Sequence, residues 1–207
     1  FLALSTEEYH RMLVEVVFYS GFRAATVTQR MKTVLNHLDN LQIVAGYSDE
    51  DVARILTDDG MIKNRDKIRA CIHNAKVLLE IDDKHGSFNN YVRCFSHSFP
   101  EDKDSIPELL WDLKRRFKFI GPRTGRHFLM KIGFPMVKPD VMVMRILFRL
   151  GLVQGEGAEC LNDAVGVCSE IARLTEIPVE FIDEILVKIG QSEGAKVCRK
   201  TKPRFSA

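Results

Sequence analysis

Two short stretches near the middle of the chain hold the residue types that could do chemistry. The first is Phe119-Ile120-Gly121-Pro122-Arg123-Thr124-Gly125, followed at once by Arg126. Gly121 and Gly125 let the backbone turn tightly, Pro122 stiffens the turn, and Thr124 is placed to cap the next helix. The backbone N–H groups of such a turn, with Arg123 and Arg126 beside them, suit one phosphate. The second stretch ends on Asp140, fifteen residues after Gly125, where a helical run to Gly151 begins. A carboxylate there can cap the helix, a role worth about 1 kcal/mol. It can equally stabilise a cationic sugar or deprotonate an attacking water. The residues alone leave both roles open.

Charge frames these stretches. The net charge of +2 over 207 residues conceals a strong asymmetry. Between residues 111 and 149 stand ten Lys/Arg against Asp112 and Asp140, and residues 196–204 add five more with no acid. An excess that brackets the glycine hairpin points to an anionic partner such as nucleic acid.

Composition sets the class. With 45% hydrophobic residues the chain can bury a globular core, and no apolar run approaches the roughly 20 residues that span a bilayer. No basic-then-apolar leader is visible, so an intracellular location, in cytoplasm or nucleoid, is expected. The cysteines, Cys71, Cys94, Cys160, Cys168 and Cys198, are odd in number and form no Cys-x-x-Cys pair. That usage fits reduced, mostly buried thiols.

The elements that must position these groups read as helices throughout. Ser5-x-x-Glu8 and Ser48-x-x-Asp51 are capping boxes, the second helix ending by Gly60, and Ser105-x-x-Glu108 has the same form. Val27, Met31, Val34, Leu35 and Leu38 recur at helical spacing, as do Ile68, Ile72, Ala75 and Leu79 from a start near Asn64. Phe88, Tyr91, Val92 and Phe95 mark a further helix, and Trp111 is expected in the core. The hairpin helix is predicted from about Thr124 to Ile132, Asp140 caps its successor, and a last helix starts at Pro178 and stops at Gly190. The fold class is all-α, with about ten short helices and no repeats.

The stretch from Trp111 to Leu152 resembles the helix-hairpin-helix (HhH-GPD) superfamily of DNA glycosylases. The resemblance sets Phe119–Gly125 on the family's hairpin and Asp140 on its catalytic Asp. The tail Cys198-Arg199-Lys200-Thr201-Lys202-Pro203-Arg204-Phe205 is similar to the iron–sulfur segment of the endonuclease III branch, with Cys198 on the first ligand but Phe205 on the second. A cubane cluster needs four thiolates, so none is expected. Asp59–Ile68, Asn74-Ala75 and Leu113–Gly121 are similar to the 3-methyladenine DNA glycosylase I branch.

These resemblances imply a two-lobed monomer. Residues 28–135, with the hairpin at 119–125, form one lobe. Residues 1–27 and 136–207 form the other, with the active-site cleft between them. The implied activity is base-excision hydrolysis of the N-glycosidic bond of a damaged base in double-stranded DNA. An alkylated purine such as 3-methyladenine is the first choice. Uracil, a thymine mismatch, an oxidised base, or DNA binding without catalysis are the alternatives.

By the same resemblance, Gly121, Arg123, Thr124, Gly125 and Arg126 grip phosphate. Glu15, Phe18, Tyr19, Phe22 and Arg23 supply the base pocket or wedge, with Glu15 also free to pair with Arg11. Bifunctional members carry a hairpin lysine where this chain has Arg123, so a monofunctional enzyme without lyase activity is expected. The 3-methyladenine branch reads its base with a Glu and a Trp at positions that here hold Val16 and Ala24. No metal site and no required cofactor are expected beyond a monovalent cation at the hairpin carbonyls.

Overall fold

The computed structural model describes residues 4–95 and 105–191, and all regular structure among them is helical. Eleven α-helices and two short 3-10 turns make up these residues, and no helix is long and apolar enough to cross a membrane. The chain divides into two units at Phe134/Pro135.

In the first unit, α5 (Arg65–His85) is the central helix. Asn64 caps it by accepting the Lys67 N–H at 3.0 Å, and Gly86 ends it in the left-handed conformation at φ 76°. Helices α1 (Thr6–Tyr19), α3 (Leu41–Ala45), α4 (Asp49–Thr57) and α6 (Phe88–Arg93) pack on it, with α2 (Ala24–Leu38) against α1 and α3. The capping boxes read from Ser5/Glu8 and Ser48/Asp51 both form. Helices α7 (Ile106–Arg116) and α8 (Pro122–Lys131) pack on each other, and α8 also packs on α1. The ring of Phe88 lies 4.6 Å from Tyr9, 5.3 Å from Tyr91 and 5.8 Å from Phe128, so one aromatic cluster joins α1, α6 and α8.

The second unit is smaller. Its helices are α9 (Val141–Arg149), α10 (Leu161–Thr175) and α11 (Ile182–Gln191). They close over Val143, Met144, Leu147, Ala164, Cys168 and Ile182. Gly190 permits the close approach of α11 to α9, since a Cβ there would meet Ile146 Cδ1 at 2.6 Å.

Several expectations are corrected. Helix α1 packs within the first unit, where Tyr9, Leu13, Val16, Val17 and Phe18 are all buried. Helix α8 starts two residues before Thr124, at Pro122, because a proline suits a first helical turn whose N–H would be unbonded anyway. Helix α4 ends at Thr57, ahead of Gly60. Ser105 makes no side-chain capping bond, so that box is not formed. The last helix begins with a 3-10 turn at Val179–Phe181 before α11. Trp111 is 63% exposed, with the Arg115 guanidinium 5.4 Å above its ring. Cys94 is exposed, unlike Cys71, Cys160 and Cys168. Cys198, Phe205 and the basic tail lie outside the described residues.

Candidate functional site

The hairpin turn between α7 and α8 is built from both sides. From α5, buried Asn74 accepts the Lys118 N–H at 2.8 Å and donates to the Lys118 carbonyl at 3.1 Å. One residue earlier, His73 Nε2 donates to the Arg116 carbonyl at 2.9 Å. From α8, the Thr124 hydroxyl accepts the Gly121 N–H at 2.6 Å and donates to the Phe119 carbonyl at 2.8 Å. Thr124 is therefore not the cap residue; it reaches back to Gly121, which is. Phe119 sits in the left-handed region at φ 59°, an uncommon place for a bulky residue, and the residue is 42% exposed.

The two glycines differ in purpose. A Cβ on Gly125 would meet Leu110 Cδ2 at 2.9 Å and Ile120 Cγ2 at 3.4 Å, so this glycine lets α7 and α8 approach. A Cβ on Gly121 would meet nothing nearer than the Thr124 hydroxyl at 3.8 Å, so this glycine is not required by packing. Arg123 and Arg126 follow on α8, both half-buried, and burial lowers the pKa of the Arg126 guanidinium. A cavity of about 440 Å³ opens beside the turn, lined by Asp66, Arg69, Ala70, His73, Lys118 and Phe119.

Much of the basic charge near the turn is tied to carboxylates. Asp112 is buried and takes Arg115 at 2.6 Å, Arg116 at 2.6 Å and the Tyr91 hydroxyl at 2.7 Å. Burial pushes its carboxyl up, but those three donors outweigh it and hold the group below the usual carboxylate range. Lys131 pairs with Glu15 at 2.7 Å.

The α1–α2 region gathers only part of the expected pocket. Phe18 is fully buried, on the core face of α1, and offers nothing to a ligand. Glu15 is held by Lys131 rather than by Arg11, whose partner is Asp39 at 3.8 Å. Val16, which the resemblance sets on the branch's base-reading Glu, is fully buried. Tyr19 is half-buried and its hydroxyl bonds Thr28 Oγ1 at 2.8 Å. Arg23 is exposed at the start of α2, and the Phe22 ring is 39% exposed.

Sequence reasoning overlooked Lys67. It is 3% exposed, and its ammonium donates to the Val17 carbonyl, to the Ser20 carbonyl at 2.7 Å and to the Ser20 hydroxyl at 2.8 Å. The same ammonium lies 5.3 Å from the centre of the Phe22 ring and 4.7 Å from that of Phe119. Burial pushes its pKa down to about 8. The neighbouring motif Asp59-Gly60-Met61-Ile62-Lys63-Asn64-Arg65-Asp66-Lys67 was the available signal, but it gives no sign that this lysine turns inward.

In the second unit Asp140 is exposed at the N-cap of α9. Its Oδ1 accepts the N–H of Met142 at 2.8 Å and of Val143 at 2.9 Å. No described residue hydrogen-bonds Oδ2. Half-buried Asp183, at the start of α11, has its carboxyl pushed up mainly by burial, with the charge of Asp140 adding to the effect. Among the described residues no cluster of His, Cys, Asp and Glu could hold a metal ion.

Comparison with known proteins bears on this arrangement. Residues 4–162, which take in both the hairpin and Asp140, match the family described as methyladenine glycosylase. DNA-3-methyladenine glycosylase 1 of Escherichia coli (strain K12) is 30% identical over 105 residues, covering 44% of this chain and 55% of that one. The chain thus spans about half the length of that curated relative. Two solved structures of 3-methyladenine DNA glycosylase I from Staphylococcus aureus share the fold, each with a TM-score of 0.56 and 22% identity over 65% of this chain. One is of a point variant, the other concerns 3-methyladenine recognition, and the match covers 80% and 79% of them respectively. With the family match running over most of its length, this chain belongs to the methyladenine glycosylase family.

Proposed function

We propose that the chain is a base-excision DNA glycosylase of the helix-hairpin-helix superfamily that hydrolyses the N-glycosidic bond of an alkylated purine, such as 3-methyladenine, in duplex DNA. The observation that carries this reading is family membership across residues 4–162. In the reaction the bond from C1′ of the deoxyribose to the base breaks, and its electron pair leaves with the base. Positive charge develops on the sugar, and a water adds to C1′ and loses a proton. The products are the free base and an abasic site.

Asp140 supports these steps chemically. Its Oδ1 is fixed by two backbone N–H groups, which orients the carboxylate and leaves Oδ2 to meet the sugar cation or the water. The hairpin supplies positioning rather than chemistry, with the Gly121 edge of the turn facing a phosphate and Arg123 and Arg126 behind it. A guanidinium is a poor nucleophile, so Arg123 forms no Schiff base and the enzyme is monofunctional. The reaction needs no redox cofactor. Three hairpin carbonyls, those of Arg116, Lys118 and Phe119, are already bonded by His73, Asn74 and Thr124, a poor fit for a monovalent cation, and no step runs through one. The protein acts as a monomer.

One observation favours a second reading of the substrate. Val16 is buried where the branch places its base-reading Glu, and Glu15 is engaged with Lys131. A different lesion, such as uracil, a thymine mismatch or an oxidised base, fits a pocket without that carboxylate. Both readings are tested by single-turnover incubation with duplexes that each carry one modified base, resolved on denaturing gels with and without hot alkali. Strand breaks that require alkali identify the substrate. Duplex binding with no breaks on any substrate overturns the enzyme reading in favour of a non-catalytic binder.

A further inference from the structure

The ammonium of Lys67 touches two aromatic rings that come from separate parts of the first unit. Phe22 stands in the loop after α1, and Phe119 stands in the hairpin turn. Both residues are about two-fifths exposed, while the lysine between them is buried. All three ammonium protons are directed to the last turn of α1, at Val17 and Ser20, where the helix C-terminus favours a cation. A buried charge so held cannot wander, and a charge over a ring face fixes that ring.

We propose that Lys67 is a positioning residue whose buried ammonium locks Phe22 and Phe119 into one composite aromatic face for an unstacked nucleobase of DNA. The proposal rests on the DNA-glycosylase reading for the identity of the ligand, but not for the existence of the junction. Phe22 follows Gly21, whose φ of 73° is a turn conformation that favours glycine. Phe119 holds a strained backbone conformation that needs support from its side chain. Base–aromatic stacking depends on ring placement and tolerates any base, so two rings fixed on one cation act as a single platform for one displaced base. Among the described residues, the titratable group that influences the ammonium is Cys71, one turn further along α5. The α1 and loop side presents only carbonyls and the Ser20 hydroxyl.

The test has a part without DNA and a part with it. In full chain labelled with 4-fluorophenylalanine, the resonances of Phe22 and Phe119 are assigned by their loss in Phe22→Leu and Phe119→Leu. They are expected to shift together with one midpoint near pH 8, where the ammonium loses its proton, and to stay still in Lys67→Met. Binding is then measured to a duplex holding a stable abasic-site analogue opposite an unpaired base. Phe22→Leu and Phe119→Leu are each expected to weaken it about tenfold, equivalent to 1.4 kcal/mol, and the double variant scarcely more. In Lys67→Met, already weakened to a similar degree, neither substitution should matter further.

Independent titration of the two rings, or additive losses in the otherwise native chain, overturns the proposal. Should Lys67→Met unfold, the two leucine variants alone still decide it. Concerted titration with no binding to any duplex refutes the DNA reading and the nucleobase platform, while the Lys67 junction stands.

Discussion

Asn74 and Lys118 form a closed two-bond pair: the buried amide of Asn74 accepts the Lys118 N–H at 2.8 Å and donates to its carbonyl at 3.1 Å. Both bonds fall on the turn that is expected to meet phosphate. The central helix, rather than the hairpin's own glycines, therefore holds that turn in shape. Asn74→Asp keeps an acceptor for the N–H but sets a carboxylate against the carbonyl. It should destabilise the protein by about 1–3 kcal/mol, the usual loss when a buried polar group is left unmatched. Urea unfolding monitored by circular dichroism measures it.

The glycines of the turn should separate folding from binding. Gly125→Ala forces a methyl against Leu110 and Ile120, at a cost of about 1–3 kcal/mol from overpacking. Gly121→Ala has room in the folded chain, so its melting temperature should stay near that of the parent. If the Gly121 edge grips phosphate, the same variant should nevertheless lose duplex affinity, as fluorescence anisotropy would report.

Asp140 caps α9, and substitution can divide that role from the catalytic one proposed for it. Asp140→Asn keeps an oxygen for the N–H groups of Met142 and Val143, so stability should change by less than about 1 kcal/mol. Single-turnover excision by that variant should be abolished while duplex binding survives. Asp140→Ala should lose excision and also about 1 kcal/mol of stability. Excision by Asp140→Asn at the parental rate would reduce the residue to a helix cap.

Lys67 gives stability a pH dependence of definite sign. Its folded pKa, about 8, lies below the ordinary 10.5 because burial penalises the ammonium. Below pH 8 both folded and unfolded chains hold the proton, and the cost of burying charge is present in full. Between pH 8 and 10.5 the unfolded chain binds more protons than the folded one, so the contribution of Lys67 to stability rises with pH. Unfolding free energies of the native chain and Lys67→Met, compared below, within and above that window, should diverge in favour of the native chain as pH increases. The same rise releases the rings of Phe22 and Phe119, so a gain in stability would accompany a loss of order at the surface.

What the sequence revealed was mostly local. The Ser5, Ser48, Asn64 and Asp140 caps all form, because each satisfies backbone N–H groups a few residues away. Helix α3, only five residues long, has too few turns for a periodic signal. Phe18 and Phe22 look alike in sequence, yet one is fully buried and the other is not, because Gly21 ends the helical face between them. Trp111 projects from α7 on the side opposite its buried residues Leu109 and Leu113. Lys67 and Asn74 were invisible for a further reason. Apart from the Ser20 hydroxyl, their partners are backbone atoms 44 to 50 positions away, and no side-chain pattern records a carbonyl. The placement of α1 likewise depended on which core its apolar face met.

The ion pairs around Asp112 and Glu15 alter what an anionic polymer would encounter along this surface. Of the ten lysines and arginines between residues 111 and 149, Arg115, Arg116, Lys131 and Arg145 are bound to carboxylates, so at most six are available to neutralise phosphates. Such pairs shed no condensed counterions when a duplex arrives, and a log–log plot of affinity against electrolyte concentration falls by about 0.9 for each phosphate neutralised. Attachment should thus persist at ionic strengths that would strip a protein using all ten cations, with shape and stacking supplying the remainder.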